Sequence, residues 1–166
     1  MKKLAFALTA CLLLSGCGLH PLYSNGNNGR AGQRLADITV PTIDGRAGWL
    51  VRNAVIDRIG EHGSGARYRL DIKLDDQIEG FGTRVDQTTT RERRTLRARY
   101  TLVDTTINKP VIDATVGSDI GIDIVNSEYA TIAAEQTALE RLADRVADEI
   151  VARIAVSAQK TATAAP

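Results

Sequence analysis

The chain has 166 residues, 43% of them hydrophobic and 25% charged, with 21 Lys and Arg against 20 Asp and Glu. This composition argues against a wholly disordered chain, and its near-neutral charge lacks the basic surplus on which nucleic-acid binding rests. Only 4% is aromatic, so Leu, Ile, Val and Ala must build the core, at a size that suits one domain.

The first residues are not part of that domain. Lys2 and Lys3 precede a mostly apolar stretch from Leu4 to Leu14, the pattern of a secretory signal and too short to span a bilayer comfortably. Its end, Leu14-Ser15-Gly16-Cys17, resembles the bacterial lipobox, in which small residues precede a cysteine that becomes the lipidated first residue of the mature chain. A similar run at Leu8-Thr9-Ala10-Cys11 leaves too little apolar core ahead of it. Residues 1–16 therefore read as the signal and Cys17 as the anchor, carrying a diacylglycerol and an N-acyl chain. Cleavage removes Lys2, Lys3 and Cys11, and lipidation consumes Cys17, so no cysteine is left for a disulfide. Several acyl chains make attachment stable without a transmembrane span.

Residues 17–34 read as the lipidated cysteine and a flexible tether, because Ser24-Asn25-Gly26-Asn27-Asn28-Gly29 is polar and glycine-rich. A folded domain is expected over 35–156. Leu35 to Val40 is a short strand closed by Pro41. From Gly45 to Ile59, the spacing of Trp49, Leu50, Ala54, Val55 and Ile59 predicts a helix, with Gly60 and Gly63 as its stop. Arg67 to Asp75 alternates, with Tyr68, Leu70, Ile72 and Leu74 on one face and Arg67, Arg69, Asp71, Lys73 and Asp75 on the other. Asp75, Asp76 and Glu79 read as the start of a hairpin loop. Thr88 to Val103 alternates in the same way, although Arg94 interrupts its apolar side. Asn108-Lys109-Pro110 marks a turn, and Val111 to Gly117 returns as a third long strand. Ser127 to Val156 repeats apolar residues at steps of three, four or seven, from Ile132 through Leu139, Leu142 and Val146 to Ile154. Residues 157–166, rich in Ala and Thr, are expected to be a disordered tail.

The order βαβββα, with one apolar face per strand and one apolar stripe per helix, predicts an α+β fold. It is a two-layer sandwich, a four-stranded mixed sheet with both helices on one face. Trp49 and Tyr129, on or near helices, are expected to pack in the core or on the sheet.

Nothing in the chain spells out catalysis. His20 and His62 have no neighbours at metal-ligand spacing, and there is no Gly-x-Ser-x-Gly elbow. The run Gly60-Glu61-His62-Gly63-Ser64-Gly65 follows a helix, where a phosphate loop would follow a strand and carry a lysine. Asp75, Asp76 and Glu79 lack a full calcium-ligand pattern. No metal, no cofactor and no enzymatic activity are expected. A freestanding periplasmic lipoprotein, acting as a hydrolase or ligand binder, is the alternative reading.

Signal, lipobox and the run Cys17-Gly18-Leu19-His20-Pro21-Leu22-Tyr23, followed by a βαβββα domain with a long last helix, resemble the lipopolysaccharide-assembly lipoprotein family LptE. The resemblance implies a non-enzymatic lipoprotein on the periplasmic side of the outer membrane. Such a protein sits one-to-one inside the β-barrel translocon LptD as a plug, helps that barrel assemble and assists delivery of lipopolysaccharide to the cell surface.

The residues themselves add a candidate surface. Arg67, Arg69, Lys73, Arg91, Arg93, Arg97 and Arg99 share the sheet face that the helices leave uncovered, with Asp71, Asp75, Asp113 and Asp119, a surplus of three positive charges. Three readings stay open for it: contact with lipopolysaccharide phosphates, contact with acidic groups in a barrel lumen, or a solvated face whose charges pair across strands.

Overall fold

The computed structural model describes residues 37–60, 65–83, 89–125 and 127–163. The signal, Cys17, the tether, His20 and His62 lie outside the described residues. The elements are β1 (Ile38–Thr39), α1 (Gly45–Ile59), β2 (Tyr68–Thr83), β3 (Thr89–Asp104), β4 (Lys109–Asp123) and α2 (Glu128–Thr163). One sheet in the order β1-β2-β3-β4 pairs β1 parallel to β2 and the remaining neighbours antiparallel. This is the predicted βαβββα arrangement.

Alternation in the strands builds the core. Leu70 and Ile72 of β2, Leu96, Ala98, Tyr100 and Leu102 of β3 and Val116 of β4 are buried on one sheet face. Val51 and Val55 of α1 and Leu139, Leu142, Val146, Ile150 and Ile154 of α2 join them in the same apolar cluster. Gly60 ends α1 with φ at 88°, and its amide donates to the Ile56 carbonyl at 2.7 Å, a left-handed stop that suits glycine. Arg58 then ties the helices together, its Nε 2.6 Å from Asp148 and its Nη2 3.5 Å from Asp144.

Several expectations need correction. Trp49 is 62% exposed and Tyr129 84% exposed, so neither is core. The buried residues of α1 are Gly48, Val51, Ala54, Val55 and Ile59, a stripe centred one step away from Trp49. Gly48 belongs to it because a Cβ there would stand 2.5 Å from the Ile43 carbonyl oxygen. Strand β2 runs on to Thr83, so Asp75, Asp76 and Glu79 are strand residues instead of loop, and β4 runs on to Asp123. Helix α2 continues past Val156 to Thr163, in a stretch whose Ala, Gln and Lys favour helix. A disordered tail from 157 therefore begins too early.

Arg94, the exception on β3's apolar side, is satisfied where it stands. It lies toward α2, pairs with Asp76 through Nε at 2.9 Å and Nη2 at 2.6 Å, and donates from Nη1 to the Glu135 carbonyl at 2.9 Å. A charge between the layers is tolerable when paired and hydrogen-bonded in this way.

Candidate functional site

The sheet face away from the helices carries the odd-numbered residues of β2 and β3 and, past the bulge opposite Leu102 and Val103, those of β4 from Asp113. Register places Lys73 opposite Arg99, Asp75 opposite Arg97, Glu79 opposite Arg93 and Phe81 opposite Arg91. On the other side of β3, Arg91 faces Asp123, Arg97 faces Gly117 and Arg99 faces Thr115. The strands thus bring Arg69, Lys73, Arg91, Arg93, Arg97 and Arg99 onto one face, while Arg67 lies just before β2 and turns to Asp104.

Longer strands change the charge balance. Besides Asp71, Asp75, Asp113 and Asp119, the face includes Glu79 and Asp123, which the expected strand lengths left out. Within the strands, six cations meet six carboxylates, and the predicted surplus of three disappears. Continuing the parity of Asp75 through Glu79 and Phe81 was the signal that would have found it.

Most of these cations are held by a carboxylate. Arg69 lies 3.0 Å from Asp71, Arg91 2.8 Å from Asp123, Arg99 2.9 Å from Asp113 and Arg93 3.8 Å from Asp119. The Arg93 guanidinium also stands 5.2 Å from the centre of the Phe81 ring, within cation–π range. The Arg99 bond holds Asp113 below the ordinary carboxylate value and raises Arg99 in return. At the end of the sheet, Arg67 is 3.2 Å from Asp104, which is 4% exposed. Asp104 is lowered first by the Thr106 hydroxyl it accepts from and then, against the cost of burial, by the Thr106 amide and Arg67.

Lys73 and Arg97 differ. Among the described residues, no carboxylate lies within ion-pair distance of either. Asp75, the register partner of Arg97, accepts instead from the Gln77 amide at 3.0 Å. The stem of Arg97 runs across Gly117, where a Cβ would come 3.0 Å from Arg97 Cγ. Glycine there lets the side chain lie along the strand with its guanidinium exposed. Lys73 and Arg97, on neighbouring strands two residues out of register, are therefore the cations of this face that no described carboxylate offsets.

Among the described residues no cluster of His, Cys, Asp and Glu is placed to hold a metal ion, and no helix is long and apolar enough to cross a membrane. Helix α2, at 36 residues, is amphipathic over its packed length.

Solved structures share this architecture. A Caulobacter crescentus protein described as a lipoprotein is 28% identical, with a TM-score of 0.65 over 79% of this chain and 98% of its own. The minor lipoprotein of Acinetobacter baumannii matches at 10% identity and TM-score 0.55, over 72% of this chain and 88% of its own. Rare lipoprotein B of Shewanella oneidensis matches at 10% identity and TM-score 0.53, over 75% and 96%. At such identity these last two speak for the fold alone. A comparison with curated proteins returns no match. The model of the family described as LptE, lipopolysaccharide-assembly, matches residues 35–154, from the approach to β1 to the last buried turns of α2. By that match the chain belongs to the LptE lipopolysaccharide-assembly family.

Proposed function

We propose that this protein is an outer-membrane lipoprotein, held on the periplasmic side by the acylated Cys17. It associates one-to-one with an LptD-type β-barrel as a plug, helps that barrel assemble and assists delivery of lipopolysaccharide to the cell surface. It acts by binding and needs no catalysis, metal or cofactor. The observation that carries this reading is the family match over residues 35–154. The fold supports it: both helices spend their apolar stripes on one sheet face, leaving the other as a broad polar surface.

On that surface Lys73 and Arg97 are the cations without a carboxylate in ion-pair distance among the described residues, suited to phosphate oxygens of lipopolysaccharide or to acidic groups in the lumen. The deciding experiment is affinity purification of the full-length lipidated protein from outer membranes in mild detergent. A large β-barrel at one-to-one ratio, identified by mass spectrometry and lost when this protein is depleted, is the expected result. Recovery of the chain alone, under conditions where other membrane complexes survive, would overturn the reading in favour of a freestanding lipoprotein.

A further inference from the structure

At one end of the two layers β1 enters the sheet, β2 begins, β3 finishes, β4 begins and α2 finishes. Among the described residues an apolar pocket of about 110 Å³ opens there between sheet and helix, lined by Ile38, Tyr68, Leu102, Val111, Ile112 and Ile154. A cavity on the order of 150 Å³ holds a benzene ring, so this one has room for a single side chain of leucine size.

Val111 and Ile112 are neighbours in β4, and strict alternation would send them to opposite faces. The ladder explains why both line the pocket. Leu102 pairs with Ile112 and Val103 with Pro110, which leaves Val111 as the extra residue of a bulge. A bulge re-aims a side chain, and here it sets Val111, 50% exposed, at the mouth of the pocket.

The chain itself arrives at this place. Asp37, the first described residue, accepts at its carbonyl from the Tyr68 amide at 3.0 Å and at its carboxylate from the Arg67 amide at 2.9 Å. Residues before Asp37 therefore join the domain at the edge of the pocket. The other segments outside the described residues offer no large apolar side chain here. Residues 61–64 are Glu, His, Gly and Ser, 126 is Asn, and 164–166 are Ala, Ala and Pro. Residues 84–88 contain Val85 but connect β2 to β3 at the opposite end of the sheet.

Once the signal is removed, the N-terminal segment has Leu19, Leu22, Tyr23 and Leu35 to offer. Leu35 is nearest, but an extended approach to β1 gives Ala36 the face of Ile38 and turns Leu35 to the other. Leu22 and Tyr23 are the adjacent pair of large apolar groups, and Pro21 fixes φ ahead of them, so less freedom is lost on docking. As a flexible chain the polar run from Tyr23 to Asp37 spans about 20 Å, which keeps the pair at roughly millimolar effective concentration around the pocket. A weak contact is enough to be occupied at that concentration.

We propose that Pro21-Leu22-Tyr23 docks at this end of the domain, with Leu22 seated in the pocket and Tyr23 over the exposed side of Val111. Cys17 is five residues before Leu22, so docking holds it within about 20 Å of the pocket, where the undocked chain to Asp37 reaches about 65 Å. The end of the sheet that carries exposed Ile107 and Lys109 is thereby turned to the membrane. Docking itself needs no barrel partner, and only its membrane consequence rests on Cys17 as the anchor.

Two measurements test it on the full-length lipidated protein in lipid nanodiscs, where no detergent tail competes for the pocket. The double variant Leu22→Ser, Tyr23→Ser is expected to lower Tm by about 4 °C. Val111→Asp places a charge at the mouth from a half-exposed site, and in that background the serine pair is expected to cost nothing further. No fall in Tm from the serine pair, or the same fall with and without Val111→Asp, would overturn the proposal. So would a Tm lowered by Cys17→Ser alone, which would give the pocket to an acyl chain. Thiol pairs supply the second readout, since the mature chain has no other free cysteine. Leu22→Cys with Val111→Cys is expected to form at least fivefold more disulfide than Leu22→Cys with Val125→Cys at the far end of β4, and equal yields would overturn the proposal. Should Val111→Asp fail to fold, the thiol pairs decide. Neither readout involves a barrel, so the partner reading stands or falls separately.

Discussion

Lys73 and Arg97 stand in the middle of a face on which Arg69, Arg91, Arg93 and Arg99 each have a carboxylate within reach. An arginine paired with aspartate has much of its charge offset by that neighbour, and a phosphate brought to it also meets the carboxylate, so it adds less to binding. Lys73 and Arg97 have no carboxylate within ion-pair distance among the described residues. The double variant Lys73→Ser, Arg97→Ser should therefore weaken salt-sensitive lipopolysaccharide binding by about three- to tenfold, roughly 1 kcal/mol for exposed charges. Removing Arg91 and Arg99 together should change it less. Titration of labelled lipopolysaccharide at two salt concentrations measures both, and an equal or larger loss from the paired arginines would show that pairing does not set their availability. Folding should survive in both double variants, because these side chains project from the face opposite the core.

Helices and strands differ in how well their sequence announces them. Strand β3 alternates from Thr95 to Leu102, and the helix-facing set Leu96, Ala98, Tyr100 and Leu102 is buried as read. Strand β2 alternates only to Asp75, the expected end of the strand. Beyond it the side toward the helices carries Asp76 and β3 answers with Arg94 and Glu92, because the apolar stripes of α1 and α2 do not extend over this end of the sheet. A strand with polar groups on both faces has no period-two hydrophobic signal, and Gly80 and Gly82 look like a turn. The same lost signal hid Glu79 and Asp123 and with them the charge balance of the candidate site. That polar end also contains a titratable contact: one Glu92 carboxyl oxygen is buried without a partner among the described residues. Burial first, and then the Glu135 carboxylate, raise the Glu92 acid above its ordinary value. A raised acid adds stability that is full below its unfolded value and is lost as pH rises through the folded one. Glu92→Gln stays neutral, so it should melt higher than the parent at pH 7, and the gap should close below about pH 4. Thermal unfolding of both proteins across that range checks it; a gap independent of pH would mean that Glu92 is not the group that titrates.

At the scale of the whole molecule, the proposed function assigns attachment and recognition to different parts of the chain. The family match begins at residue 35, and among the described residues the apolar cluster that joins the helices to the sheet runs from Ile38 to Ala155. If the acyl chains on Cys17 serve only to hold the protein at the membrane, the folded domain should recognise its barrel without them. Cys17→Ser in the full-length chain should then shift the protein from the membrane to the soluble periplasmic fraction when no barrel is available, since the protein–membrane affinity lies in the acyl chains. When the barrel is co-expressed, part of the Cys17→Ser protein should return to the membrane fraction with it. Fractionation followed by immunoblotting separates the cases. A variant that stays soluble despite abundant barrel would show that the anchor is needed to form the complex, because it confines the domain to the membrane surface and so raises its effective concentration there. A variant that stays on the membrane without any barrel would remove Cys17 as the anchor.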